Sequence, residues 1–485
     1  MPTPRPTLPA RAALMGSTLA AIVACAEKVD PDSAAAEDPW EEVAYSPKLA
    51  PAAGSLQAVR GLVPRRAIVH LHSPWSHDAC DGEPMPDGAP DADCLADLRA
   101  GLCDVAVDYA FLTDHPAHAA EQAYGDLFHS QPGDEALMRG GAQIASQIPC
   151  GDRQPGHAVV WLPGVEDALM PVALDRHVGG SSAENDAIYN QIDGSAVEAN
   201  IAAGATVLVA HTEQRSVEGL APLLSHGLRG VELFNLHAAF DPDLRADYLG
   251  LDPMGWLADV APFTAADGTG EPDFLFLAVL REQKVSLDVW DGLNLLAPVV
   301  GTAGTDAHQN VLPLLLRDGE RGDSYRRMLR WFTNTLLLPE GVGGPEAAEQ
   351  ALQSGRLYVA FEVLGTPQTV DVSLLGEDGV TYEIGDSAPV GGTLRVACPN
   401  LAPGSPRGAE RPAITVTVFK DGLPFSEGCG EVAVSAPGVY RVRVDIVPYH
   451  LRAWLGADPE PWLVPYPWIY TNPIRVGLAT PTESP

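Results

Sequence analysis

The chain has 485 residues, with 30 Lys and Arg against 64 Asp and Glu, a formal net charge of −34. That balance argues against a nucleic-acid partner, which needs a basic footprint, and against charge-driven adhesion to anionic lipid. With 46% hydrophobic residues the chain can bury a large core, so disorder of the whole chain is excluded as well.

Residues 12–24 are a short apolar run, preceded by Arg5 and Arg11 and ending Ile22-Val23-Ala24-Cys25. A charged start, an apolar middle and small residues before a cysteine read as a lipoprotein-type signal peptide over 1–25, with Cys25 lipidated. The expected location is outside the cytoplasmic membrane, periplasmic or at the cell surface, with the lipid anchor as the only membrane contact. Residues 26–60 are rich in Ala, Pro and acids without a period, and read as an exposed tether. Beyond Cys25 six cysteines remain. An even number in an exported chain suggests disulfides. Cys398 and Cys429 are expected to pair, being alone in the C-terminal region, whereas Cys80, Cys94, Cys103 and Cys150 allow three pairings.

From 61 to 362 short apolar segments alternate with amphipathic ones. Strands are expected over 67–70, 109–113, 158–162, 207–210, 231–234, 299–304 and 335–338, and helices over 94–102, 135–148, 186–203, 217–226, 273–282 and 345–354. Repeated strand-then-helix means parallel strands, and the count suits a closed α/β barrel. From 363 to 485 period-two segments such as Ile414-Thr415-Val416-Thr417-Val418, separated by Gly-, Pro- and Asp-rich turns, predict a small antiparallel β-sandwich domain.

Histidines and carboxylates gather at the ends of the expected strands: His70-Leu71-His72, then Ser76-His77-Asp78, Thr113-Asp114-His115, Gly164-Val165-Glu166, His211, Glu232 with Asn235, and Asp306-Ala307-His308. Residues i and i+2 of a strand share a face, and the C-terminal ends of parallel strands share one rim. Imidazole and carboxylate suit Zn, Mn or Fe, and so many donors imply two or three divalent metal ions with a bridging carboxylate. His118, His129, His157, His226, His237 and His450 are read as structural or surface residues.

In this order the motifs resemble the polymerase and histidinol phosphatase (PHP) superfamily, over about residues 62–340. The resemblance implies a distorted (β/α)7 barrel and a metal centre that hydrolyses phosphoesters. It implies that His70, His72, Glu166 and Asp306 hold one ion, that Glu166 bridges to a second held by His211, and that His115, His308 and His77 (or Asp78) hold the third. A further histidine, His177, falls where the family has another, and His177 and Asp114 are the candidate proton donors. Glu232 and Asn235 match a frequent family motif and are read as supports for the ligands. Leu352–Val359 and Trp468–Ile474 look like exported PHP proteins with an appended β domain. The expected substrate is a small phosphorylated ester. A carboxyl or carbamate ester hydrolase on the same cluster, or a surface-tethered binding protein with an idle barrel, are the alternatives.

Overall fold

Six strands lie parallel and side by side in a computed structural model that describes residues 40–49 and 52–479. They are β1 (Leu62–Leu71), β2 (Tyr109–Phe111), β3 (Ala158–Leu162), β4 (Thr206–Val209), β5 (Gly230–Asn235) and β6 (Val300–Ala307), in the order β3-β2-β1-β6-β5-β4. They read as near-continuous apolar runs because both faces are covered: Ala67 to Leu71 and every residue of β4, β5 and β6 are buried. The strand Thr333–Pro339 adds antiparallel along the first half of β1, Ala142–Pro149 along β3, and Met170–Val172 along β4. The result is a mixed α/β fold around a large sheet. The distorted (β/α)7 barrel that the family resemblance implies is not shown: antiparallel strands interrupt the strand-helix repeat.

One interruption falls where the sequence reading expects a helix, over 135–148. The chain there makes a hairpin, Glu135–Arg139 with Ala142–Pro149. The intervening Gly140 and Gly141 both have positive φ, 57° and 88°, the requirement of the tight turn whose twist matches paired strands. The segment expected as a helix over 273–282 is a 3₁₀ stretch, Pro272–Ala278, and the α-helix follows at Lys284–Leu296, burying Leu287, Trp290 and Leu293. Helix Ala92–Asp104 starts where the Asp91 carboxylate accepts the amides of Asp93 and Cys94, and it buries Leu95, Leu98 and Leu102.

Beyond Glu362–Leu364 the described residues form strands and short 3₁₀ turns. Four strands make their own antiparallel sheet, in the order Thr381–Glu383, Val372–Gly376, Gly392–Val396, Gly430–Ala433. Others extend the large sheet: Leu357–Ala360 pairs with Tyr466–Thr471, which pairs with Gly438–Val447. The two regions are also fastened by side chains. Asn472 exchanges two hydrogen bonds with the backbone of Gly301 in β6, at 2.8 and 3.0 Å. Arg441 grips Asp291 of helix Lys284–Leu296 with two bonds of 2.7 Å. Some of the strands after 363 therefore share the large sheet with the α/β region, while four others form a sheet of their own.

The signal-peptide reading, Cys25 included, lies outside the described residues, as does the first part of the segment read as a tether. The described part of that segment lies against the body: Val43 bridges Arg407, and Tyr45 hydrogen-bonds Asp273. No helix among the described residues is long and apolar enough to cross a membrane. Cys398 is bonded to Cys429, Cys80 to Cys94, and Cys103 to Cys150.

A candidate metal centre

The C-terminal ends of the parallel strands carry the imidazoles and carboxylates to one place. Strand alternation alone does not bring His70 and His72 together. His70 has φ 73° and the register to β6 shifts between Val69 and Leu71, a bulge that re-aims the side chain. The two Nε2 atoms end 3.1 Å apart. His211 and Asp306 also sit in the left-handed region, at φ 50° and 52°. Strained backbone of this kind persists where the surroundings over-determine it, and it gathers at functional sites.

Five imidazoles are oriented in the same sense. His70 Nδ1 meets Glu232 Oε1 at 2.6 Å, and His72 Nδ1 meets Ser76 Oγ at 2.9 Å. His115 Nδ1 meets the Glu166 carbonyl oxygen at 3.0 Å, and His211 Nδ1 meets Glu213 Oε1 at 3.1 Å. His308 Nδ1 meets the Asp306 carbonyl oxygen at 2.7 Å. The carboxylate and carbonyl partners of His70, His115, His211 and His308 can only accept, which places the proton on Nδ1 and turns the Nε2 lone pair inward, the arrangement of metal-bound histidine. Asp306 is the hub. Its Oδ1 lies 3.2 Å from Nε2 of both His70 and His72 and 3.3 Å from His308 Nδ1, while its Oδ2 lies 3.5 Å from His211 Nε2. The Glu166 carboxylate spans His115 Nδ1 at 2.9 Å and His211 Nε2 at 3.9 Å. Gly304 has to be glycine, since a Cβ there would overlap the Glu232 carboxylate.

Four sets of three residues offer donor atoms within 4.8 Å of one another: His72, His115 and His308; His70, His72 and Asp306; His70, Glu166 and His211; His237, Asp306 and His308. A fifth set, Asp273, Asp318 and Glu320, is already neutralised by Arg326 and Arg327. Two buried atoms of the cluster, Asp78 Oδ1 and Glu213 Oε2, have no hydrogen-bond partner. Orphaned donors and acceptors are costly to bury and point to a bound species. The donor set and these orphans fit divalent ions.

Without ions the groups contend for protons. Burial depresses His308 to about 4 against the pull of Asp306 and Asp78, and holds His72 well below the usual imidazole range, helped by the charge of His308. Burial opposes the charge on His115 too, yet Asp78 and Glu166 raise it to about 11, and Glu213 and Asp306 raise His211 to about 9. Asp306, disfavoured as an anion by burial, is kept well below the carboxylate range by His70 and His308.

Not every sequence-predicted residue joins. His77 is exposed, its ring 5.1 Å from that of His115, while the neighbouring Asp78 points inward, with Oδ2 3.4 Å from His308 Nε2 and 3.6 Å from His115 Nε2. Of the two alternatives, Asp78 rather than His77 faces the cluster. His177 is held elsewhere, between Tyr189 Oη at 3.2 Å and the Gln122 carbonyl at 3.0 Å. Asp114 is spent on the loop after β1, accepting Ser73 N at 2.6 Å and Ser73 Oγ at 2.8 Å, and burial raises it to about 6. Neither is placed as a proton donor. The imidazole that the sequence reading missed is His237, with Nδ1 3.4 Å from Asp306 Oδ2. Its signal is position, two residues past Asn235 at the end of β5. Glu232 and Asn235 stand behind the ligands: Glu232 Oε2 accepts His211 N at 2.9 Å, and Asn235 Nδ2 donates to Asp306 Oδ2 at 3.2 Å. A cavity of ≈ 130 Å³ opens on the cluster, lined by Asp78, His115, His211, His237, Asp241, Leu244, Asp306 and His308.

No family model and no curated protein matches the chain. Among solved structures, a two-domain protein from Bacteroides vulgatus ATCC 8482 containing a predicted PHP-like metal-dependent phosphoesterase aligns at 9% identity with a TM-score of 0.36, over 90% of this chain and 99% of that one. A likeness that slight bears on neither fold nor function.

Proposed function

We propose that this protein is a metal-dependent hydrolase, and specifically a phosphoesterase acting on a small phosphate ester. One observation carries the reading: five imidazoles have Nδ1 engaged outside and Nε2 turned towards Asp306, Glu166 and Asp78. Divalent ions held there would polarise a phosphoryl oxygen and bring the pKa of water towards neutrality. His70, His72, His115, His211, His308, Glu166, Asp306 and Asp78 would hold them, with Glu166 sharing a donor set with His70 and His211. His237, at the cavity wall with Nδ1 3.4 Å from Asp306 Oδ2, would give the proton to the leaving oxygen. Glu232 and Glu213 fix the tautomers of His70 and His211.

The choice of phosphorus as the reacting atom rests on the ordered resemblance to the PHP superfamily, whose barrel fold this reading adopts for the α/β region. Zn, Mn and Fe all suit the donors. A polynucleotide substrate is disfavoured, since the chain carries a charge of −34 and the cavity wall has no Lys or Arg. Export and anchoring through Cys25 belong to the same proposal, supported by three disulfides, which persist in oxidising compartments.

The test is elemental analysis of protein purified without chelator, with turnover of aryl phosphates, phosphodiesters and carboxyl esters. Two or three ions per chain and hydrolysis of phosphate esters are expected. Preferential cleavage of carboxyl esters would overturn the phosphoesterase reading, and bound metal without hydrolysis of any ester would overturn the hydrolase reading.

A further inference from the structure

A second cavity, of ≈ 20 Å³, lies where the C-terminal strands meet the α/β region, with Asn294, Val300, Gln353, Asn472 and Arg475 in its wall and no carboxylate. It adjoins Val300, the first residue of β6, whereas Asp306 of the metal cluster stands near the other end of that strand, about 20 Å away at ~3.3 Å per residue. Arg475 is 2% exposed, so its charge is withdrawn from water. Other buried arginines face a buried carboxylate: Arg66 has Glu362, Arg327 has Asp273 and Arg441 has Asp291. Arg475 makes no ion pair among the described residues. Its Nε donates to the Asn294 carbonyl at 2.9 Å and its Nη2 to the Ala479 carbonyl at 3.3 Å, both uncharged acceptors, and its buried Nη1 has no partner. Burial lowers its pKa, and no neighbouring carboxylate raises it.

The wall offers donors in excess. Both asparagine oxygens are already used, Asn294 Oδ1 accepting Val299 N at 3.1 Å and Asn472 Oδ1 accepting Gly301 N at 2.8 Å. The Val299 carbonyl takes Trp290 Nε1 and Asn294 Nδ2, each at 2.8 Å. Left over are the protons of Arg475 Nη1 and one on Gln353 Nε2, whose other proton goes to Thr206 Oγ1 at 2.9 Å. A water would bring two protons of its own to a wall whose asparagine acceptors are taken. An anion only accepts, and it cancels the buried charge. The volume admits a single particle about the size of a water molecule. We propose that this cavity is a binding site for one small monovalent anion of halide size, chloride above all, held by the Arg475 guanidinium. The anion completes a joint in which Asn472 holds β6 and Arg475 holds the last turn of helix Lys284–Leu296. The proposal is independent of the metal centre and of the reaction assigned to it.

Bromide, an anomalous scatterer close to chloride in size, is the direct probe. Crystals of the wild-type protein soaked in sodium bromide are expected to show an anomalous peak in contact with the Arg475 guanidinium. In solution, at constant ionic strength and metal content, the wild-type Tm should rise saturably as chloride replaces methanesulfonate, which is too bulky for the cavity. At chloride ten times its Kd, linkage gives a rise of about 1–2 °C for a chain of this size. Arg475→Gln keeps a hydrogen-bonding side chain without the charge, and should lose the rise. A wild-type Tm indifferent to the exchange of anions, an equal rise in Arg475→Gln, or bromide crystals without anomalous density at the guanidinium would each overturn the site, whatever the protein does to esters. The bromide map and the wild-type Tm decide the matter even where the variant fails to fold.

Discussion

Asp306→Asn isolates the charge at the hub of the cluster. Asparagine has the same size and, like aspartate, tolerates the left-handed conformation found at this position, φ 52°, so the backbone is not penalised. What is lost is the anion that reaches Nε2 of His70, His72 and His211 within 3.5 Å and takes part in two of the four donor sets. Removing a group that merely supports a metal ligand costs about 10- to 100-fold in affinity, so loss of a direct carboxylate should reach at least the upper figure. At a metal concentration about 100 times the wild-type Kd, binding stabilises the wild-type fold by about 2.7 kcal/mol. A variant about 100-fold weaker would gain only about 0.4 kcal/mol at that concentration. Denaturation followed by calorimetry with and without Mn or Zn, together with elemental analysis, reads both numbers. A variant that keeps the wild-type stoichiometry and the full metal-induced stabilisation would refute the reasoning.

Asp78→Asn should lower metal content and ester hydrolysis by about tenfold or more, whereas His77→Ala should change metal content less than twofold; elemental analysis of the pair would show whether Asp78 is the ligand. Asp273 is buried against Arg326, Arg327 and Arg330. Asp273→Ala should cost about 3–5 kcal/mol in urea unfolding because it leaves buried guanidinium groups uncompensated. His129 and His450 are both depressed to about 3 by burial, His450 with Nε2–H given to the Leu364 carbonyl. Unfolded, each takes up a proton near 6.5, so the unfolded state binds more protons between about 6.5 and 3. The stability they contribute is complete above about 6.5 and declines with falling pH, by at most about 1.4 kcal/mol per pH unit for each group. Unfolding free energies at pH 7 and pH 5 should therefore converge more closely in His450→Gln than in wild type, and an identical slope would count against the buried neutral imidazole.

The donors were legible in the sequence because chemistry restricts them: His70, His72, His115, Glu166, His211, Asp306 and His308 each stand at the end of a predicted strand, where parallel strands deliver side chains to one edge. The choice between His77 and Asp78 was not legible, since both sit in a loop without a period, and the direction of each is set by the disulfide from Cys80 to Cys94 and by Cys80 N bonding the His308 carbonyl. His177 fitted the order of a motif, but order along the chain says nothing about which neighbours, here Tyr189 and Gln122, claim a ring.

The amino-acid sequence by itself determined the acidic character, the α/β alternation, the later antiparallel strands and the ligand chemistry, because these follow from residue type and from periods of a few residues. Only the tertiary structure decided the sheet order, the hairpin at Gly140-Gly141, the entry of His237 and Asp78, and the placing of Asp241 on the cavity wall. Those depend on contacts between segments far apart in the chain, and no local pattern of side chains records which distant segment will arrive beside them.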